Sequence, residues 1–406
     1  MSSGLSPRRI QLALFLIGFA TFALLYVVQP LLPALARDFA IGSAGSALAL
    51  SVSTGTLALS IFLSALRGQH LDRRRLMLVA IALATLFNGV SAFCTAWWQL
   101  LLCRAAIGLC LGAVPATAMA YLADAVPPER LAGSMGLYVA GTALGGMTGR
   151  VGIAVLADLH GWREGLLTMS LLGMLAAMGI AWALPKAVPL GPPQSASLSD
   201  AVPHGAPSSP WRWIARHPRL PSLFLCGGLA SGIFVAAYNY AGFRLLAAPF
   251  GLRPAQVGLI FCCYLCGVAS SSLGGRLVSS MGAGRVLRGS CAITALGIGL
   301  SLFEHLAVFV AAMCLMTWGF FALHAVCSGW VGREAGAHKS QATASYLLSY
   351  YIGASVMGYA GGWLWDHGRW PWLCGGLALA LLAFVGLLRG LASTREVHPS
   401  AGLAMK

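Results

Sequence analysis

WQLLLCRAAIGLCLGAVPATAMAY, from Trp98 to Tyr121, is an almost unbroken apolar run. As a helix it is long enough to cross a bilayer. One residue departs from the pattern. Arg104 lies about one turn inside the run, where an unsatisfied charge costs at least ~2.5 kcal/mol. Gly108 and Gly112 follow at four-residue steps, so the arginine's face is narrow and suits close helix packing. The stretch therefore predicts a helix within a bundle, with Arg104 turned inward. There its N–H groups would meet either a ligand or the carbonyls of neighbouring helices.

The rest of the chain supports a membrane bundle. It has 406 residues, 58% hydrophobic and only 9% charged, against roughly a quarter charged in soluble proteins. The net charge of +15 is not gathered into a basic stripe, which argues against nucleic acid. Twelve apolar spans are predicted at 10–33, 46–66, 76–95, 99–121, 134–157, 165–184, 221–246, 255–279, 286–303, 306–331, 341–364 and 370–391. Of the 26 Lys and Arg residues, Arg104 and Arg150 fall inside spans. Arg37, Arg163, Arg244, Arg253 and Arg369 fall on one side of the membrane, and the remaining nineteen on the other. That bias predicts both termini in the cytoplasm. Arg8 and Arg9 precede an apolar run too long for a signal peptide, so the first span is expected to stay uncleaved.

Several chemistries find no support. The eleven cysteines are scattered through apolar spans, and Cys263-x-x-Cys266 lies within one, as small buried hydrophobes do. There is no phosphate-binding glycine loop. No nucleophile–base pair or His/Asp metal cluster shares one depth, so neither an enzyme nor a metal or other cofactor is expected.

Residues 185–220 divide the chain. Their Pro, Ser and Ala content marks a flexible cytoplasmic linker, ending in WRWIARHPRL, Trp211 to Leu220, at the membrane surface. Residues 1–184 and 221–392 then form two six-helix bundles, and 393–406 a cytoplasmic tail. The halves repeat one another. Phe39-Ala40-Ile41 matches Phe250-Gly251-Leu252, and Tyr138, Gly145, Asp158 and Trp162 match Tyr346, Gly353, Asp366 and Trp370. A six-plus-six duplication about a central linker is a transporter architecture.

These features resemble the major facilitator superfamily over nearly the whole chain. Arg104-x-x-x-Gly108 resembles its fourth-helix signature, and ADAVPPERLAG (123–133) its link into the fifth helix. GTALGGMTGR (141–150), with Gly141, Gly145 and Gly149 at four-residue steps, resembles the fifth helix of its exporters without their usual proline. YVVQPLLPALARDF, GGMTGR and GGWLWDHG are most similar to the YnfM-type bacterial inner-membrane transport proteins, of the drug:proton antiporter-like branch. The resemblance implies an inner-membrane secondary transporter that moves a small organic solute by rocking two halves about a midplane site. It implies an exporter coupled to protons and a monomer; the alternatives are an uncoupled facilitator and a non-transporting membrane sensor. The superfamily's acidic latch between helices two and three is degraded: its acid falls on Gln69, with Asp72 shifted beside Arg73 and Arg74, and Ser279 in the second copy. The arginines there either pair with helix C-terminal carbonyls or mark the cytoplasmic side; the charge bias favours marking.

The candidate substrate and coupling residues are the polar groups at depth. None of the eleven Asp and Glu is mid-span, so His324 is read either as a satisfied structural histidine or, if transport is proton-driven, as the proton carrier, since an unperturbed imidazole has a pKa of about 6.5. Arg104 and Arg150 share one depth and favour an anionic or carbonyl-rich solute, although Arg150 also suits packing on glycine-rich backbone. Tyr26 and Gln29 on the first span, Tyr238, Asn239 and Tyr240 on the seventh, and Tyr350 on the eleventh would line a small-molecule cavity. Tyr26 and Gln29 also fit an interfacial belt. Gly108, Gly112, Gly141, Gly145 and Gly149 are read as packing positions.

Overall fold

The computed structural model describes residues 7–67, 72–126, 128–184 and 210–393. Gln69, the linker stretch 185–209 and the tail beyond 393 lie outside the described residues. What is described is almost entirely helical.

Each predicted span coincides with a helix or a pair of short helices. Proline accompanies the breaks in the first and fourth spans, because it lacks an N–H and crowds the preceding turn. The first span runs Pro7–Tyr26, breaks around Pro30 into a 3₁₀ turn at Gln29–Leu31, and resumes as Leu32–Asp38. The second and third are Ser43–Arg67 and Arg73–Ser91. The fourth divides at Pro115 into Trp97–Gly112 and Val114–Ala125. The fifth and sixth are Pro128–His160 and Trp162–Ala183. After a surface helix at Pro210–Arg216, the seventh is Leu220–Leu246. The eighth comprises Pro254–Gly258, a 3₁₀ segment Leu259–Cys263 and Tyr264–Met281. The ninth and tenth are Ala283–Leu300 and Leu306–Glu334. Lys339–Ser393 holds the last two, broken at Gly368 and Arg369.

Large aliphatic and aromatic side chains cover the outside, among them Leu171, Trp182, Leu379 and Leu382, as lipid contact requires. Within the first half, spans 1 and 5 touch through glycine. A Cβ on Gly141 or Gly145 would overlap the carbonyl oxygen of Phe15 or Phe19, and one on Gly149 would press on Ala23. Gly108 and Gly112 bring span 4 equally close to Ser53 and Leu57 of span 2. The second half repeats the device: a Cβ on Gly353, 208 residues after Gly145, would overlap the Gly228 carbonyl of span 7.

The halves meet towards the end remote from the linker. Span 2 packs on span 11, and span 5 on the start of span 8. At the linker end the surface helix touches both halves: Trp211 lies 5.1 Å from Phe62, and Trp213 lies 4.9 Å from His338.

Candidate functional site

Arg104 is fully buried and all three of its guanidinium nitrogens are engaged. Nε donates to Ser53 Oγ at 2.9 Å and to the Ala49 carbonyl at 3.4 Å. Nη1 donates to the Leu24 carbonyl at 3.4 Å, and Nη2 to the Leu25 carbonyl. The crevice beside it, between Val28, Leu31, Leu100 and Leu166, has no room for water. The carbonyls are free to accept because the first helix ends at Tyr26, leaving its last C=O groups without helical partners. Arg104 thus ties spans 1, 2 and 4 together.

Arg150 is differently placed. Its Nη1 donates back to the Gly146 carbonyl at 2.6 Å, and its Nε to Gln29 Oε1 at 2.6 Å. No hydrogen bond reaches Nη2 among the described residues, and no carboxylate pairs with the charge. Aromatic faces surround it instead: Tyr26 at 4.0 Å, Tyr264 at 4.9 Å and Phe261 at 5.3 Å from the guanidinium carbon. Tyr26 belongs to the first half and the other two to the second, so one cation sits between the halves. Such ring contacts stabilise a desolvated cation by about 2 kcal/mol.

Gln29 completes a bridge. Its Nε2 donates to Asn239 Oδ1 at 2.9 Å, linking spans 1 and 7 across the halves. Both side chains are buried, and Asn239 Nδ2 has no partner among the described residues. Consecutive helical residues point ~100° apart, so Tyr238, Asn239 and Tyr240 diverge. Tyr238 turns into the second half, its hydroxyl 2.7 Å from Thr317 Oγ1. Asn239 faces the first half. Tyr240 donates to the Gly358 carbonyl at 2.6 Å and is wholly buried. The seventh span therefore sends one of its three candidates to the junction, and the other two pack within their own half.

His324 lies nearer the linker end. Its Nδ1 is 3.0 Å from the Tyr346 hydroxyl, and its ring packs on Phe320 and Tyr350. Phe320 stacks on Phe234 at 3.9 Å, and Phe234 meets Tyr264 at 5.3 Å. One continuous chain of aromatic contacts thus runs from His324 to Arg150.

The charged group at the start of span 3 differs from the favoured expectation. Arg74 donates to the Ala181 and Leu184 carbonyls at the end of span 6, at 2.9 and 3.0 Å. Arg73 donates to the Ala120 carbonyl at 3.2 Å. Arg74 does not merely mark a side; it closes the C-terminus of span 6, where carbonyls lack partners. Asp72 caps its own helix, accepting from the Arg74 and Arg75 amides.

Three further groups emerge. Ser51 donates to the Ser355 carbonyl at 3.0 Å and Ser355 to the Ser51 carbonyl at 2.9 Å, with Thr54 Oγ1 2.9 Å from Ser355 Oγ. Ser43 adds a 2.8 Å bond to Asp366. This hydroxyl seam was visible as SVSTGT, 51–56, an unusually polar run in an apolar span. Tyr264 and Phe261 carried no such signal. At the linker end Glu334 accepts from Arg219 and Trp330 at 2.9 Å each, with His217 Nε2 3.7 Å away. Burial holds the His217 pKa below its ordinary value despite Glu334. That suits a neutral ring, whose Nδ1 accepts from the Arg219 and Leu220 amides.

Comparison with known proteins agrees with this architecture. Residues 14–245 match the family described as Major Facilitator Superfamily. The chain is 36% identical to the inner membrane transport protein YnfM of Escherichia coli K12, covering 96% of this chain and 91% of that one. It is 34% identical to the uncharacterized MFS-type transporter YybF of Bacillus subtilis, covering 94% and 92%. Among solved structures, an inward-facing, occupied bacterial homolog of the human lysosomal transporter Spinster superposes with a TM-score of 0.71 at 16% identity, covering 96% of each chain. The peptide transporter POT superposes with 0.75 at 13% identity, covering 97% of this chain and 96% of that one.

Proposed function

The chain belongs to the Major Facilitator Superfamily, and from that membership we propose that it exports a small organic anion or carbonyl-rich solute by alternating access. It is a multi-pass membrane transporter of the superfamily's type, which carries small molecules. Solute class, direction and coupling are our reading. The observation that carries it is Arg150, a buried cation between the halves whose Nη2 has no hydrogen bond and whose charge has no carboxylate among the described residues. A guanidinium with an N–H group to spare recognises carboxylate or carbonyl oxygen. Arg104, whose nitrogens are all occupied, serves as a structural tie. The tyrosine and phenylalanine lining suits a solute with an aromatic or aliphatic body.

In this reading solute enters from the linker end while the seam at Ser43, Ser51 and Ser355 holds the far end closed. The N-terminus and linker face the cytoplasm, as the charge bias supports. His324 is the proton carrier, set in the same lining. The test is counterflow in proteoliposomes, using radiolabelled benzoate against matched benzylamine. Saturable benzoate exchange that Arg150→Gln abolishes supports the reading. Exchange of benzylamine in preference, unaffected by Arg150→Gln, defeats it.

A further inference from the structure

We infer that Gln29 is a displaceable clasp: an acceptor oxygen of the solute takes its place on Arg150, and the loss of Gln29 from Asn239 frees the halves at the far end. This rests on reading Arg150 as the solute's binding group. The geometry is specific. Nε and Nη2 form one edge of a guanidinium, matched to the two oxygens of a carboxylate. In this structure a neutral carboxamide oxygen occupies the Nε end of that edge, and among the described residues no acceptor bonds the Nη2 end. An entering carboxylate is the stronger acceptor, so it can first take Nη2 and then displace Gln29 from Nε.

Displacement has a consequence across the junction. Because Arg150 fixes the Gln29 oxygen, the Gln29 amide is aimed at Asn239 Oδ1. Turning the oxygen away turns the amide away as well. Asn239 holds Gln29 through a single hydrogen bond, and its own Nδ2 has no partner to reinforce it. Behind Asn239 stands Gly358, where a Cβ would press within 3.2 Å of Nδ2, so the side chain sits directly on span 11. The seam residue Ser355 is one turn away on the same span. Gln29 itself lies in the 3₁₀ turn that interrupts span 1, outside the regular helical hydrogen-bond pattern. Solute binding and far-end closure thus compete for one edge of one arginine.

The experiment uses the full chain in nanodiscs. Benzoate, benzamide and benzylamine are the probes. Binding is read by thermal shift, and far-end opening by deuterium uptake in peptides covering 43–54 and 355–366. Benzoate should raise both the unfolding midpoint and the uptake, and benzylamine neither. Gln29→Leu should raise uptake without any probe and tighten benzoate by about tenfold, because a charge-assisted competitor is gone. Gln29→Glu, which places a carboxylate on Arg150 permanently, should abolish benzoate binding. Gln29→Met guards against a poor fit of leucine and should behave as Gln29→Leu does. Benzoate binding with seam uptake unchanged in Gln29→Leu and Gln29→Met overturns the clasp and leaves the anion reading standing. No stabilisation by benzoate or benzamide, in native or variant protein, overturns the anion reading and the clasp with it.

Discussion

Arg104 and Arg150 look alike in the sequence, each a lone charge in an apolar run, and differ only in what the fold places around them. Three elements converge on Arg104, and its nitrogens are taken by carbonyls and one hydroxyl. Arg104→Ala would leave those buried acceptors unpaired, at about 1–3 kcal/mol for each group that water cannot reach. A loss of roughly 2–4 kcal/mol is expected on that basis, seen as a lowered thermal midpoint with the order of anion over cation binding unchanged. An altered order would make Arg104 a solute contact after all. His324 carries the coupling prediction. The groups facing it are the Tyr346 hydroxyl and the rings of Phe320 and Tyr350, with no carboxylate among the described residues to share its proton. His324→Gln should flatten the pH dependence of flux while probe binding persists. If the pH profile survives, the proton travels through Asp38 or another span-end acid, or transport is uncoupled. Periodicity and composition reveal that a charge is buried; which atoms answer it depends, Gly146 apart, on partners 51 to 124 residues away, which no local pattern encodes.

Among the elements, the repeat is plainest where the backbone is least comfortable. The turn between spans 5 and 6 holds Gly161 at φ 93° and ψ 162°. Its counterpart 208 residues later is Arg369, at φ 55° and ψ −148°, in the turn between spans 11 and 12. That region is open almost only to glycine and costs other residues about 1–3 kcal/mol. The Arg369 guanidinium lies 5.8 Å from the Trp365 ring, a weak recompense at an exposed site. Arg369→Gly should therefore stabilise the protein by about 1 kcal/mol, after allowing for the glycine's greater unfolded freedom. Gly161→Ala should destabilise it by a similar amount. Thermal unfolding in one detergent measures both, and a fall in the midpoint of Arg369→Gly would refute the strain argument. Ala40 and Gly251 form a second such pair, at φ 50° and 57°. The spans themselves were legible because lipid imposes their length and apolarity, and the repeat was legible as matched residues. The breaks at Gln29–Leu31 and Leu259–Cys263 were not. They depend on how each chain segment accommodates its neighbours, and Leu259–Cys263 contains no proline.

For the whole molecule the question is which contacts must part for a solute to pass. Two rigid halves built on glycine-mediated pairs cannot deform internally at low cost, because a close-packed backbone contact has no slack. Movement is therefore expected at the surfaces between halves. Those surfaces include glycine approaches as well, Gly362 on Ala44 and Gly258 on Ala154, but add polar contacts that water can replace: hydroxyls of Ser43, Ser51, Thr54 and Ser355, one carboxylate, and the Gln29–Asn239 bond. A hydrogen bond of this sort contributes only about 0.5–1.5 kcal/mol net, since water replaces it when the seam opens. A closure made of such bonds can form and part repeatedly, whereas an interlocked apolar one would not. The charge bias adds orientation: with nineteen Lys and Arg on the linker side, a reporter fused after Ser208 should be active only as a cytoplasmic reporter, and the seam then faces outward. The seam's role can be tested directly. Thr54 and Ser355 oxygens stand 2.9 Å apart, so Thr54→Cys with Ser355→Cys brings two thiols within bonding range. Oxidation should lock the far end shut and stop flux, reduction should restore it, and probe binding from the linker side should persist in the lock but weaken, because closure competes with the solute for Arg150. Each single cysteine variant should be insensitive to oxidation, which separates this bond from the native cysteines. Undiminished flux through fully cross-linked protein would mean that spans 2 and 11 stay together throughout the cycle, and the opening would then have to be sought elsewhere between the halves.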